Sequence, residues 1–141
     1  MNHNCILKLL QYNVEKINFV LNKEFDYSIT NIEVTPNFEC TLKKIDECRA
    51  KIILEFIMKN SVEHPLPFDC NIAISGIFSC ENWEENNNEI MKINSVSILF
   101  PFLRALIATI TSNAAVPPYV LPVMNINALL SEQLEKQKSN K

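Results

Sequence analysis

Seven of the large apolar side chains in residues 98–110, Ile98, Phe100, Phe102, Leu103, Leu106, Ile107 and Ile110, spread over most of a helical circumference. A helix packed only on the sheet of its own subunit needs one stripe, and Leu99, Phe102, Leu103, Leu106 and Ile110 on one side would supply it. Fully burying a large side chain gains roughly 1.5–3 kcal/mol, so leaving half of the seven in water forfeits several kcal/mol. The apolar run is too short to cross a bilayer and has Arg104 in its middle, which argues against membrane insertion. Cover from two sides is the remaining solution, by the sheet within the subunit and by another copy's helix outside it. Arg104 then needs a partner in or near that interface.

At 141 residues the chain has room for one domain, residues 1–141, with a charged tail about residues 136–141 that frays. Its net charge is −3, and the densest basic cluster, Lys43, Lys44, Arg49 and Lys51, is interrupted by Asp46 and Glu47. That pattern lacks the basic face of a nucleic-acid binder. Five cysteines, Cys5, Cys40, Cys48, Cys70 and Cys80, contain no CxxC pair, which fits neither a disulfide framework nor a zinc knuckle. The start of the chain lacks the basic and long apolar segments of a secretory signal, so a cytoplasmic protein with mostly core cysteines is expected. A single glycine, Gly76, excludes a P-loop or a dinucleotide fingerprint, which need several glycines at fixed offsets.

Alternation of apolar and polar residues predicts four strands. Residues 48–59 set Ala50, Ile52, Leu54, Phe56 and Met58 on one face. Residues 66–78 do the same with Leu66, Phe68, Cys70, Ile72 and Ile74. Phe38, Cys40 and Leu42 mark a shorter strand, and residues 9–21 a less regular one. The short polar links at 44–47 and 60–65 suggest antiparallel neighbours. A long connection, residues 22–35, carries Phe25, Tyr27, Ile29 and Ile32, which is unusual for a plain loop. After a polar segment at 81–88 the period becomes helical over 95–112, with Ser95 or Ser97 as cap and Pro101 in the first turn. Pro117, Pro118 and Pro122 then impose an extended link, and a last helix at about 126–137 presents Leu129, Leu130 and Leu134. The class is α+β: a four-stranded antiparallel sheet, a long apolar helix and a shorter C-terminal helix.

Polar chemistry is sparse. His3 and His64 have no ligand or carboxylate partner at suitable spacing, and Glu81, Glu84, Glu85 and Glu89 form an unconstrained acidic stretch. No catalytic residue, metal site or cofactor is expected, and the chain reads as a non-enzyme.

The segment from Asn94 through Ser95, Val96, Ser97, Ile98, Leu99, Phe100, Pro101, Phe102 and Leu103 to Arg104 resembles the signature of the SecB protein-export chaperones. Gly76, Ile77, Phe78 and Ser79 resemble the run that ends that family's fourth strand. Val116, Pro117, Leu121, Pro122 and Val123, followed by Asn125, Ala128 and Leu129, resemble its extended connection and last helix. The resemblance implies a cytoplasmic homotetramer, a dimer of dimers whose long helices lie between sheets. It implies an ATP-independent holdase for unfolded or export-competent polypeptides, with a client groove lined here by Phe25, Ile29, Ile32, Val34, Phe68, Ile126 and Leu130. Family members dock the translocase motor SecA through acidic residues on the outer sheet face. The aligned positions here are Lys16, Val20 and Asn71, none acidic, with Glu15 and Asp69 beside two of them but expected on opposite strand faces. A chaperone dedicated to an antitoxin of a toxin–antitoxin pair, and a non-chaperone oligomeric adaptor for one folded partner, are the alternative readings.

Overall fold

The strictest alternation in the sequence becomes the interior of a sheet. In the computed structural model, which describes residues 6–26, 28, 36–83 and 87–114, four strands form: β1 (Lys8–Leu21), β2 (Asn37–Lys44), β3 (Arg49–Met58) and β4 (Phe68–Ser79). One helix follows, α1 (Asn88–Asn113). All pairings are antiparallel. The strand order is β1-β4-β3-β2, so the chain crosses from one edge of the sheet to the other between β1 and β2. The expected C-terminal helix, the proline-rich link and the frayed tail lie outside the described residues.

Each strand's expected inward set lies on one face. Ala50, Ile52, Leu54, Phe56 and Met58 of β3 are buried, as are Phe68, Cys70, Ile72, Ile74 and Phe78 of β4. The β2–β3 turn is fixed by Asp46, whose carboxylate accepts from the Cys48 and Arg49 N–H groups at 2.9 and 2.8 Å. The β3–β4 link closes where Asp69 accepts from the Asn60 N–H and the Asn60 side chain accepts from the Leu66 N–H.

The helix begins earlier than the serines suggest. Asn87, extended at φ −66° and ψ 128°, caps it by accepting from the Glu89 N–H at 2.8 Å. Trp83 anchors the same end, its indole N–H donating to Asn88 at 3.2 Å. Ser95 and Ser97 therefore sit inside the helix, donating to the Met91 and Ile93 carbonyls one turn back. Pro101 lies mid-helix rather than in the first turn, on the exposed side, where the carbonyl it leaves unpaired can meet water. At 26 residues, the helix is long and apolar enough by length and composition to cross a membrane, contrary to the reading of its shorter apolar run. Yet Leu99, Leu103 and Ile107 are all 0% exposed within the core of this chain, with Val96 and Phe100 buried beside them.

Gly76 sits where α1 meets the sheet. A Cβ there would lie 2.7 Å from the Phe78 ring, 2.9 Å from Leu9 and 3.1 Å from Leu99. Glycine is required by that close approach, and the packed Phe78 ring has nowhere to move. Gly76→Val is expected to lower folding stability by about 1–3 kcal/mol through overpacking. An unchanged urea midpoint would show that the helix–sheet contact yields more easily than its packing suggests.

Candidate functional site

The inward face of β1 is apolar along its length, but the helix covers only part of it. Register with β4 puts Leu9, Tyr12, Val14, Ile17, Phe19 and Leu21 on the same face as the core residues Phe78, Gly76, Ile74, Ile72, Cys70 and Phe68. The packing of α1 runs over β4, β3 and β2. Val14, Ile17 and Leu21 are therefore left 42, 51 and 44% exposed. At the helix side the strip continues into Phe102, 43% exposed, which stacks on Tyr12 at 4.8 Å between ring centroids. A contiguous set of this kind along β1, which is an edge strand among the described residues, is an interaction surface rather than scattered surface apolarity.

The strip is hard to read from the sequence because β1 has two irregularities. The register shifts between Leu9 and Gln11 and again between Val14 and Lys16, so each extra residue reverses the parity of the positions after it. Ile17, Phe19 and Leu21 alternate in the sequence, and Tyr12 and Val14 do too, but the two sets fall out of step. Two out-of-step apolar alternations are the signal that marks the strip.

The expected site residues fall into three groups. Phe25 and Phe68 lie at one end of the sheet and are buried, Phe68 stacking on Phe19 at 5.0 Å. Ile29, Ile32, Val34, Ile126 and Leu130 lie outside the described residues. Of the expected interface set, Leu99 and Leu103 belong to the core of this same chain, because the helical stripe facing the sheet is Leu99–Leu103–Ile107. Phe102 faces outward, and Leu106 and Ile110 are half-buried on the flanks. What read as one stripe is two.

On the outer face, the second β1 irregularity has a further effect. Its extra residue, Glu15, turns to the same side as Lys16 and accepts hydrogen bonds from Ser75 and Lys51, both at 2.7 Å. Lys16 in turn approaches Glu55 at 3.9 Å. Asp69 stands opposite Val20 and Asn71 opposite Asn18, so Glu15 and Asp69 share the outer face instead of lying on opposite strand faces. The Lys51 and then the Ser75 hydrogen bond hold the Glu15 carboxyl below the usual carboxylate range. A lowered carboxyl stabilises the fold above its unfolded-state pKa, and that contribution disappears as pH falls through the folded value. Glu15→Gln is expected to flatten the acid limb of the stability–pH curve and leave its alkaline limb unchanged. An acid limb superimposable on wild type would remove Glu15 from the account.

Nucleophilic chemistry finds little purchase. Burial pushes the Cys40 and Cys70 thiols up to about 11, so neither is a thiolate at neutral pH. His64 is exposed in the β3–β4 link. Among the described residues no group of three His, Cys, Asp or Glu side chains could hold a metal. Of the cysteines expected to be mostly core residues, Cys40 and Cys70 are free and buried, Cys48 is free and exposed, and Cys80 is buried and disulfide-bonded.

The profile of the family described as preprotein translocase subunit SecB matches residues 14–137. The chain belongs to the SecB family. Similar proteins include an uncharacterised protein of Methanocaldococcus jannaschii, 31% identical over 140 residues, 96% of this chain and 90% of that one. Protein-export protein SecB of Anaplasma phagocytophilum is 40% identical over 88 residues, 60% of this chain and 56% of the relative. That of Ehrlichia canis is 31% identical over 124 residues, 82% of this chain and 63% of the relative. The chain thus spans less than two thirds of the SecB proteins it matches. Among solved structures, the Mycobacterium tuberculosis SecB-like chaperone in complex with a ChAD peptide from the HigA1 antitoxin shares the fold. Its TM-score is 0.65 at 11% identity, covering 84% of this chain and 91% of that one. Within the SecB fold, the strip lies along β1 at the sheet edge, and the paired charges lie on the opposite face.

Proposed function

We propose that the chain is a chaperone of polypeptides bound for export, an ATP-independent holdase that works in the cytoplasm as a homotetramer, without metal or cofactor. The observation that carries this reading is the exposed strip of Val14, Ile17, Leu21 and Phe102 along β1, an edge strand among the described residues. An extended, unfolded chain satisfies both features together. Its backbone can pair with an edge, and its apolar side chains can fill the strip with little sequence discrimination. The groove would extend over Ile29, Ile32, Val34, Ile126 and Leu130, with Phe25 and Phe68 forming its floor. Family membership and the named activity of the SecB relatives support this reading.

The test is suppression of aggregation of a slowly refolding protein at stoichiometric chaperone, without nucleotide. Suppression at about one client per assembly is expected; aggregation at the rate of the client alone, together with no binding of unfolded chains, overturns the reading. The same preparation gives the mass in solution, expected near four times 16.2 kDa; a stable monomer would contradict the tetramer.

A second reading, a SecB-like chaperone dedicated to one antitoxin, is favoured by the outer face. Lys16, Val20 and Asn71 offer no carboxylate, and the outer-face carboxylates beside them are engaged, Glu15 by Lys51 and Ser75 and Asp69 by the Asn60 N–H. A basic partner such as SecA would have to displace those bonds. Binding of a single client at an affinity far above that for unfolded chains in general would select this reading.

A further inference from the structure

The membership of the β1 strip turns on where one unpaired residue falls. Residues 12–17 run along five β4 positions, Gly76 to Ile72, and the residue left without a partner is Glu15. With the extra residue there, Tyr12, Val14 and Ile17 stand opposite Gly76, Ile74 and Ile72 in one inner row. An extra residue at Val14 would take Val14 out of that row and put residue 15 opposite Ile74. An extra residue at Ile17 would put Lys16 opposite Ile72. Either shift breaks the strip. Two contacts on the outer face oppose them. The Glu15 carboxylate accepts from the Ser75 hydroxyl and from Lys51 Nζ, each at 2.7 Å, and Lys16 Nζ reaches Glu55 at 3.9 Å. Lys51 and Glu55 belong to β3, so both β1 side chains stretch across β4. The β4 residues beneath them, Ala73 and Ser75, are small and buried, which leaves room for the two arms. A Glu15 carboxylate moved to the inner row would lose both bonds and face fully buried Ile74.

We propose that Glu15 is a positioning residue for client holding: anchored on Ser75 and Lys51, it fixes the irregularity of β1 on the outer face and so keeps Val14 and Ile17 together in the inner strip. Taking that strip as the client surface rests on the chaperone reading. Glu15 acts from the face opposite the strip, through the register of the strand. An irregular strand needs such an anchor, because an unpaired residue free of contacts can exchange places with its neighbours. A strand with no extra residue needs none, and this difference separates positioning from plain stabilisation.

The experiment compares two changes in the whole chain. In Glu15→Ala the extra residue stays, but alanine makes neither bond and fits the inner row in place of Val14. Deleting Glu15 removes the same bonds and also the extra residue, so Val14 and Lys16 pair directly with Ile74 and Ala73. Binding of reduced, carboxymethylated lactalbumin, a permanently unfolded probe, is measured by titration calorimetry. Amide exchange over residues 12–21 is followed separately, without the probe. Glu15→Ala is expected to bind about 3- to 10-fold more weakly, as the share of chains with an intact strip falls to about a third to a tenth. It is also expected to lose amide protection in this stretch. The deletion is expected to recover wild-type affinity and protection. Glu15→Gln, whose amide oxygen can still accept from Ser75 and Lys51, is expected to fall between wild type and Glu15→Ala, and this order is the test if the deletion does not fold. A folded deletion that behaves as Glu15→Ala does overturns the proposal, since loss of the bonds alone then explains both. A Glu15→Ala chain with wild-type affinity and protection overturns it too. A wild-type chain that does not bind the probe sinks the chaperone reading instead, and the exchange comparison then decides the register claim alone.

Discussion

Replacing Leu103 with alanine is expected to lower folding stability by about 2–5 kcal/mol, whereas Phe102→Glu, one residue away, is expected to leave a folded chain of lower mass in solution. The two positions divide the helix. Leu103 is 0% exposed between Leu99 and Ile107, against a sheet whose side chains are themselves fully buried, so truncation leaves a cavity that close packing cannot collapse. Phe102 is 43% exposed, and its main contact is the stack on Tyr12. Losing that stack costs about 0.5–1.5 kcal/mol, and the new carboxylate reaches water in an isolated subunit. In an assembly that covers this face, the same carboxylate would be buried without a partner, at a much higher cost. Urea titration and sedimentation read the two effects separately. A Leu103→Ala variant as stable as wild type would refute the inward stripe, and an unchanged mass for Phe102→Glu would place the assembly contact elsewhere.

That division shows where sequence periodicity gives out. The inward faces of β3 and β4 follow from strict alternation because both strands lie inside the sheet and have no register shift along their shared pairing. Leu54, Phe56, Ile72 and Ile74 could face only one way. On the helix, apolar groups fall on the core side, the flanks and the outer side alike, so spacing could not distinguish Leu103 from Phe102. Only the position of the sheet does. The helix start was obscured for a related reason. Ser95 and Ser97 are good cap residues, but buried Ser95 spends its hydroxyl on the Met91 carbonyl, and the cap passes to Asn87.

The β1 strip was concealed by a different effect. Two register shifts break the period of two, and Glu15 shows the consequence most sharply: simple alternation opposes it to Lys16, while the irregularity puts both on the outer face. The same shifts move apolar residues onto the inner face at positions that a regular strand would have split between faces. The family motifs at Gly76 and in the helix carry no information about this strand. Gly76 is legible as a place of close approach only once Leu9, Phe78 and Leu99 are seen around it.

The double variant Val14→Asp, Ile17→Asp is expected to abolish aggregation suppression at stoichiometric ratio while leaving a folded chain. Both side chains are about half exposed, 42 and 51%, so only the exposed part remains available to a client. Burying it contributes about 1 kcal/mol for each residue, and the carboxylates add an unfavourable desolvation of similar size to the complex. A combined loss of about 3–4 kcal/mol is a fall in affinity of about 150- to 800-fold. The natural control lies on the same strand. Val20 is 52% exposed but pairs with Asp69 on the outer face, so Val20→Asp makes the same kind of exchange, at one residue instead of two, without touching the strip. Val20→Asp is expected to hold clients as the wild type does, and near-ultraviolet circular dichroism establishes that all three chains are folded. Equal loss in both variants would mean that charge on β1, not the strip, governs holding. Full activity in the double variant would move the client surface off β1 altogether, onto the crossover and the C-terminal segment.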